Sequence, residues 1–354
     1  MVKKIKSVVQ HHPKTAGVSL ALAAVMVVCA ALLGWYARGK ANEVEKFGYT
    51  PNYSATESFQ RSMGRWSSLR TGAPALFRAD LPKEALLWKA RDAAYQSTYG
   101  KPYSRGNQGL GSCVGWGSAD AVDVSGAVAY LEGKAGSWKI VATESTYGLR
   151  GELGESPGYY NDGWWGSGVA RGLRDCGVLF REVYEVSPNK VDLSTYSANR
   201  ERDWGHYGTG GRSSEWLDPI AAKYKVPHVA AVKTTDEAKA SLANGYAIFV
   251  CSGVGFDPCV RNADGVVRRG GSWSHCMACV GYYEASQQTV YVIENSWGPN
   301  AVSGPAGPHG LSGAMFAIST ADMQRILDAD DSYAVSGPNG FEPQELDFSG
   351  WGTN

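Results

Sequence analysis

The chain has 354 residues, with 34 Lys and Arg against 34 Asp and Glu, and it is 44% hydrophobic, enough for one large or two modest apolar cores. A neutral chain whose only basic cluster lies at its start carries no electrostatic footprint for nucleic acid, so no such partner is expected. Seven cysteines in this length also argue against a disulfide-dense small secreted scaffold.

Residues 1–15 hold Lys3, Lys4, Lys6 and Lys14, and residues 16–36 then run without a charge, AGVSLALAAVMVVCAALLGWY. At about 1.5 Å per helical residue this run reaches the ~30 Å of a bilayer's hydrocarbon core. It is longer than the apolar region of a secretory signal, and Gly39-Lys-Ala41 is a poor cleavage site. The sequence therefore predicts a retained transmembrane helix, a signal-anchor, with Trp35 and Tyr36 at the membrane interface. The preceding lysines keep the basic N-terminus cytoplasmic and send the rest of this single-pass membrane protein to the extracytoplasmic side. The lipid bilayer is thus an expected partner through residues 16–36.

Residues 37–99 are polar, with scattered aromatics and a short helical pattern over 83–95, and read as a stalk that packs on the edge of the folded unit. That unit is expected over 100–328. From Cys113 to Leu131, Ala119, Val122, Gly126, Ala127 and Tyr130 recur at three- and four-residue spacing, which predicts a closely packed helix stopped near Gly133. A second helix is predicted over 163–175, followed by an extended segment over 178–186 and a polar surface excursion over 187–227. Thr234 and Glu237 have capping-box spacing at the start of a helix over 235–244.

Beyond it, residues 246–252, 276–283, 289–294 and 314–319 are short β-branched or aromatic runs between turn residues. Helices first and strands afterwards predict an α+β fold with a cleft between two lobes. Residues 329–354, with Asp330, Asp331, Glu342, Glu345 and Asp347, read as an acidic C-terminal tail of low order.

The chemistry-bearing stretches are Gln108-Gly-Leu-Gly-Ser-Cys113, Ser274-His275-Cys276 and Glu294-Asn295-Ser296-Trp297-Gly298. A thiol becomes nucleophilic when ionised, and a helix N-terminus beside an imidazolium lowers its pKa. Cys113 opens the predicted helix, and Gly109 and Gly111 let the chain turn into it. His275 starts an apolar strand pattern and suits the role of ion-pair partner and acid. His309, in a Gly/Pro loop, is the competing histidine. An amide oxygen orients an imidazole where other triads use a carboxylate, which is the part expected of Asn295, with Trp297 covering that bond from water. The backbone N–H of Cys113 and the side-chain amide of Gln108 would donate to an oxyanion. Cys276 and Cys279 have C-x-x-C spacing but lie in an apolar run, and are read as two small buried hydrophobes rather than a redox pair or zinc site. No metal and no cofactor are expected.

These blocks resemble the three signature blocks of the papain-like cysteine protease family, papain/cathepsin type. A fourth, Asn161-Asp-Gly163-Trp164-Trp165-Gly-Ser167 followed by Gly177-Val-Leu, resembles the family segment that lines the substrate cleft. The resemblance covers about 100–320. It implies a papain-like two-lobe fold, with a helical lobe carrying Cys113 and an antiparallel β-sheet or barrel lobe carrying His275 and Asn295. It implies a cysteine-type peptidase, a hydrolase acting on a peptide or protein substrate through a thioester on Cys113, with His275 as acid and base. Gly163 would hydrogen-bond the substrate backbone, and Trp164 and Trp165 would line the pocket for the second side chain before the scissile bond.

The chain departs from the family in several places. Gln108 precedes Cys113 by five residues rather than six, Val114 replaces the tryptophan after the cysteine with Trp116 nearby, and Tyr160 stands where a family cysteine would be. Residues 41–100 lack the pattern of the family's helical inhibitory propeptide, so none is expected. Two other functions compete: an inactive papain-like binding or structural protein, and a cell-wall peptide hydrolase or transamidase using the same Cys-His pair.

Overall fold

The computed structural model describes residues 47–63, 81–155, 162–186, 189–206, 211–212 and 216–337. The expected N-terminal region 1–15, the expected transmembrane helix 16–36 and residues 338–354 of the expected tail lie outside them. Among the described residues no helix is long and apolar enough to cross a membrane.

The described chain is α+β. It begins with helices α1 (Tyr53–Ser62), α2 (Leu87–Tyr99), α3 (Cys113–Leu131), α4 (Thr143–Glu152) and α5 (Gly166–Asp175). A small antiparallel hairpin, β1 (Val183–Val186) and β2 (Asn189–Asp192), precedes α6 (Ala198–Gly205) and the single turn α7 (Asp218–Ala221). The second half alternates β3 (Val229–Ala231), α8 (Thr235–Ala243), β4 (Ile248–Val254), β5 (Ser272–Ala285), β6 (Gln288–Glu294), β7 (Met315–Ser319), α9 (Thr320–Leu327) and β8 (Tyr333–Val335). Its strands form one antiparallel sheet in the order β3-β8-β4-β5-β6-β7.

Helix α3 is buried nearly all round, which suits its lack of a polar face. Its glycines permit this: a Cβ on Gly115 would come within 2.9 Å of the Tyr147 side chain, and one on Gly117 within 3.1 Å of the Met277 backbone. Helix α3 therefore lies directly on α4 and on β5. In the α8 cap, Thr234 accepts from the Glu237 N–H and Glu237 bonds back, as its spacing predicts.

Three segments differ from expectation. Helix α4 has no apolar stripe, yet it is buried because its polar groups find tertiary partners: Thr146 donates to Gly115 O at 2.8 Å and Arg150 to Gly205 O at 2.7 Å. The expected surface excursion contains α6, capped by Ser197 through the Arg200 N–H. The start of the expected acidic tail over 329–354 is folded instead, because Tyr333–Val335 are fully buried as β8 between β3 and β4. Asp331 is not a solvated tail residue either. It is 1% exposed, and its carboxylate accepts from Gly166 N and Ser167 N at 2.7 Å each, capping α5.

Cys276 also departs from its reading as a plain hydrophobe. It faces Cys251 across the β4–β5 pair and forms a disulfide with it, while Cys279 is buried and free.

Candidate active site

Cys113 is the first residue of α3, after a tight turn in which Ser112 N donates to Leu110 O at 2.7 Å. His275 is in β5, opposite Ser252 of β4, and Asn295 follows the last residue of β6. The His275 Nε2 and Asn295 Oδ1 are 2.9 Å apart. That oxygen also accepts from Ser296 N–H at 2.7 Å, so Nε2 carries the proton and Nδ1 keeps a lone pair. His275 is 1% exposed, and Nδ1 has no hydrogen-bond partner among the described residues. The thiol is brought to the same place, since the backbone N–H of Cys276, the residue after His275, reaches the Cys113 sulfur.

The loop before Cys113 is tied to the asparagine block. Gln108 N donates to Ser296 O at 2.9 Å, Ser296 Oγ donates to Gln108 Oε1, and Asn107 forms an antiparallel bridge with Trp297. The Gln108 amide donates to Leu110 O at 2.9 Å, within its own loop. Beneath Asn295 lies a buried charge cluster. Arg105 Nε donates to Asn295 O at 3.2 Å and its Nη1 is 3.3 Å from Asp120 Oδ1 of α3, while Arg91 of α2 bonds both Asp120 and Glu294. Burial would raise the Asp120 carboxyl, but the guanidiniums of Arg105 and Arg91 outweigh it and hold it below the ordinary range.

His309 is placed elsewhere. Its Nε2 is 3.4 Å from Glu84 and its ring packs on Tyr283, so it does not compete with His275.

The cleft beside Cys113 is occupied by the chain itself, through part of the expected edge-packing stalk over 37–99. Residues 47–50 cross it in extended form. Gly48 N and Tyr49 N donate to Ser274 O at 3.1 and 3.0 Å, Trp164 N donates to Gly48 O at 2.8 Å, and Thr50 N donates to Trp164 O at 2.9 Å. The Gly48 N–H also reaches the Cys113 sulfur. Only glycine fits there, since a Cβ on residue 48 would lie 1.9 Å from Gly111 O. Phe47 packs edge-on against His275 and Trp297, at 6.1 and 5.5 Å between ring centroids. Tyr49 is buried and hydrogen-bonded to Asp331.

Among solved structures, the chain is similar to xylellain, a cysteine protease from Xylella fastidiosa, at 19% identity over 82% of this chain and 91% of that one, with a TM-score of 0.48. It is similar to proCathepsin B S9 from Trypanosoma congolense at 10% identity over 82% and 86%, TM-score 0.49. It is also similar to digestive procathepsin L 3 of Tenebrio molitor larval midgut at 13% identity over 87% and 88%, TM-score 0.45. No protein-family model matches the chain, and no curated protein matches it. At these identities and scores the reading of the site rests on its own geometry.

The backbone partner of residues 48–50 is Trp164, next to Gly163. Gly163, at φ 103°, turns its N–H inward to Tyr147 OH at 3.0 Å, and Trp164 supplies both the donor and the acceptor. The Trp164 side chain is fully buried with its Nε1 on Glu155 at 2.9 Å, while Trp165 is 8% exposed at the N-cap of α5. Sequence reasoning missed Gly48 because nothing in Phe-Gly-Tyr-Thr marks an extended segment that needs a missing Cβ. It missed Arg105 and Glu294 because their charges are paired only in three dimensions.

Closure sets the protonation state. Burial pushes the Cys113 thiol up to about 12, against the backbone N–H groups of Cys276 and Gly48, and pulls His275 down to about 4, against the Asn295 bond. In this closed form the pair is a neutral thiol and a neutral imidazole.

Proposed function

We propose that this chain is a papain-like thiol endopeptidase held latent by its own residues 47–50. The observation that carries the reading is an extended peptide seated across Cys113 by backbone hydrogen bonds to Ser274 and Trp164, beside an imidazole oriented by Asn295. A groove that holds one extended strand by its main chain binds others of differing sequence.

With the cleft open, solvation restores the thiolate–imidazolium pair. The Cys113 sulfur attacks the substrate carbonyl carbon, and the carbonyl π electrons move onto oxygen, giving an oxyanion to which the Cys113 N–H and the Gln108 amide donate hydrogen bonds. The tetrahedral adduct collapses, the C–N bond breaks and His275 gives its proton to the leaving amine. Water, deprotonated by His275, then hydrolyses the thioester.

A substrate whose amine leaves at His275 and whose preceding residues lie along Trp164 runs from Trp164 toward His275. Residues 47–50 run the other way, with Phe47 at His275 and Thr50 at Trp164, in a parallel bridge between Tyr49 and Trp164. Gly48 O accepts from Trp164 N, which keeps that carbonyl on Trp164. The segment is therefore held as an occupant rather than as a substrate.

The test is labelling by an epoxide thiol probe of the E-64 type, with the adduct located by mass spectrometry, alongside turnover of a denatured protein. The reading expects an adduct on Cys113 and turnover that Cys113→Ala abolishes. No labelling of Cys113 in reduced Gly48→Leu protein, with no turnover, would overturn it.

Residues 16–36 are proposed as the anchor that carries this unit on the extracytoplasmic side of a membrane. Protection of the C-terminal unit from external protease in sealed inside-out vesicles is the expected result, and its digestion there would refute the orientation.

A further inference from the structure

The excursion between β2 and β3 reaches the back of the cysteine loop. Tyr196 OH accepts from Gly109 N at 2.8 Å and donates to Glu201 Oε2 at 2.6 Å. The other oxygen, Glu201 Oε1, accepts from Trp116 Nε1 on α3 at 2.9 Å, and the Ser112 hydroxyl also bonds this carboxyl. Glu201 is fully buried. Burial pushes it up to about 8, against its donors Tyr196, Ser112 and Trp116.

The fit is close, since a Cβ on Gly109 would come within 2.6 Å of the Ala198 Cβ and 2.9 Å of Tyr196 OH. The excursion is itself pinned, by Ser197 N donating to Glu144 Oε1 at 2.8 Å and by Arg150 donating to Gly205 O. These contacts fall on two of the places where the sequence departs from its resemblance: the shortened Gln108–Cys113 spacing, and Trp116 in place of a tryptophan directly after the cysteine. The loop that carries the two oxyanion donors is thus bonded from one side by Ser296 and from the other by Tyr196.

We propose that Tyr196 and Glu201 are positioning residues that hold the Gln108–Cys113 loop in the geometry needed for peptide hydrolysis. Neither touches the reacting atoms; both act through Gly109, Ser112 and Trp116. The role in hydrolysis rests on the thiol peptidase reading above.

Hydrolysis passes through an oxyanion, whereas alkylation by iodoacetamide displaces iodide at carbon and forms none, so the two reactions separate loop positioning from thiol reactivity. In the full chain carrying Gly48→Leu, Tyr196→Phe and Glu201→Leu are each expected to lower kcat by about 10-fold with KM unchanged. Iodoacetamide alkylation of Cys113 is expected to stay within about twofold, because the thiol itself is unaltered. In the chain without Gly48→Leu, Tyr196→Phe is expected to speed hydrogen exchange of the peptide covering 106–112 by about 10-fold.

Unchanged exchange overturns the proposal, and so does an unchanged kcat or an alkylation rate that falls in step with kcat. A chain that neither turns over peptide nor labels at Cys113 sinks the peptidase reading instead. Exchange then still decides whether Tyr196 holds the loop.

Discussion

The ring of His275 lies flat against the indole of Trp297, with centroids 4.6 Å apart and planes 29° apart. Trp273 completes the shelter, 4.8 Å from Trp297 and 6.2 Å from His275. The indole excludes water from the His275–Asn295 bond, so that bond works in a low-dielectric setting where it fixes the ring more firmly.

Removing the shelter exposes the dyad. Trp297→Ala is expected to move the His275 pKa up from about 4 toward its ordinary 6.5, because burial is the main cause of the depression. Once the cleft is open, kcat should also fall by about 10-fold as the ring gains freedom. An NMR titration of the imidazole reads the first effect, and an unmoved pKa would count against the shielding argument.

The cleft strand has a single weak point. Gly48→Leu places a Cβ 1.9 Å from the Gly111 backbone oxygen, so residues 47–50 cannot seat. Epoxide labelling of Cys113 in the full chain should then quicken by about 10-fold or more, because the thiol leaves the environment that pushes it up to about 12. Equal labelling rates with and without the substitution would show that the strand does not close the site.

Acid should loosen the closed protein through His275. Its folded pKa of about 4 lies below the ordinary 6.5, so the unfolded chain binds the proton first as pH falls. Stability is present above 6.5 and is lost as pH drops toward 4, by at most about 3 kcal/mol for this group. Asp331 works the other way, since burial raises it to about 6 and its contribution is lost as pH rises through that value. The comparison with His275→Asn isolates the histidine: chemical denaturation between pH 6.5 and 4 should show a smaller acid loss in the variant, and equal losses would refute the assignment.

The buried cluster under Asn295 is a matter of stability. Arg91 is fully buried between Asp120 and Glu294, with its guanidinium 3.7 Å from the Tyr103 ring centroid. Arg91→Met leaves two buried carboxyls without their shared partner and is expected to cost about 3–5 kcal/mol in denaturant unfolding. Adding Glu294→Gln should return part of that loss, because burial already favours the neutral form of Glu294. A double variant less stable than the single one would contradict this account.

The elements that sequence patterning read well are those whose local signals agree with their burial. The span of α3, the capping box of α8 and the strands β4 to β7 carry helical spacing, a reciprocal cap or β-branched runs, and each formed within a few residues of its expected place. Helix α4 was hidden because TESTYGLRGE is polar, and only partners such as Gly115 O and Gly205 O make its burial tolerable. Strand β8 was hidden for a similar reason: Tyr-Ala-Val is too short to signal anything beside the acidic residues around it.

At the site, the sequence by itself determined the cast: Cys113 at a helix start, His275 on a strand and Asn295 before Trp297, because each residue type and its immediate neighbours follow from local chemistry. Tertiary structure alone decided how they are governed. Residues 47–50 lie over the thiol through backbone hydrogen bonds, which any sequence can make and none advertises. Tyr196 and Glu201 meet Gly109 and Trp116 across more than 80 residues of chain, and Arg91 meets Glu294 across 203. Such contacts depend on where the fold returns the chain, and spacing along a single sequence carries no record of that.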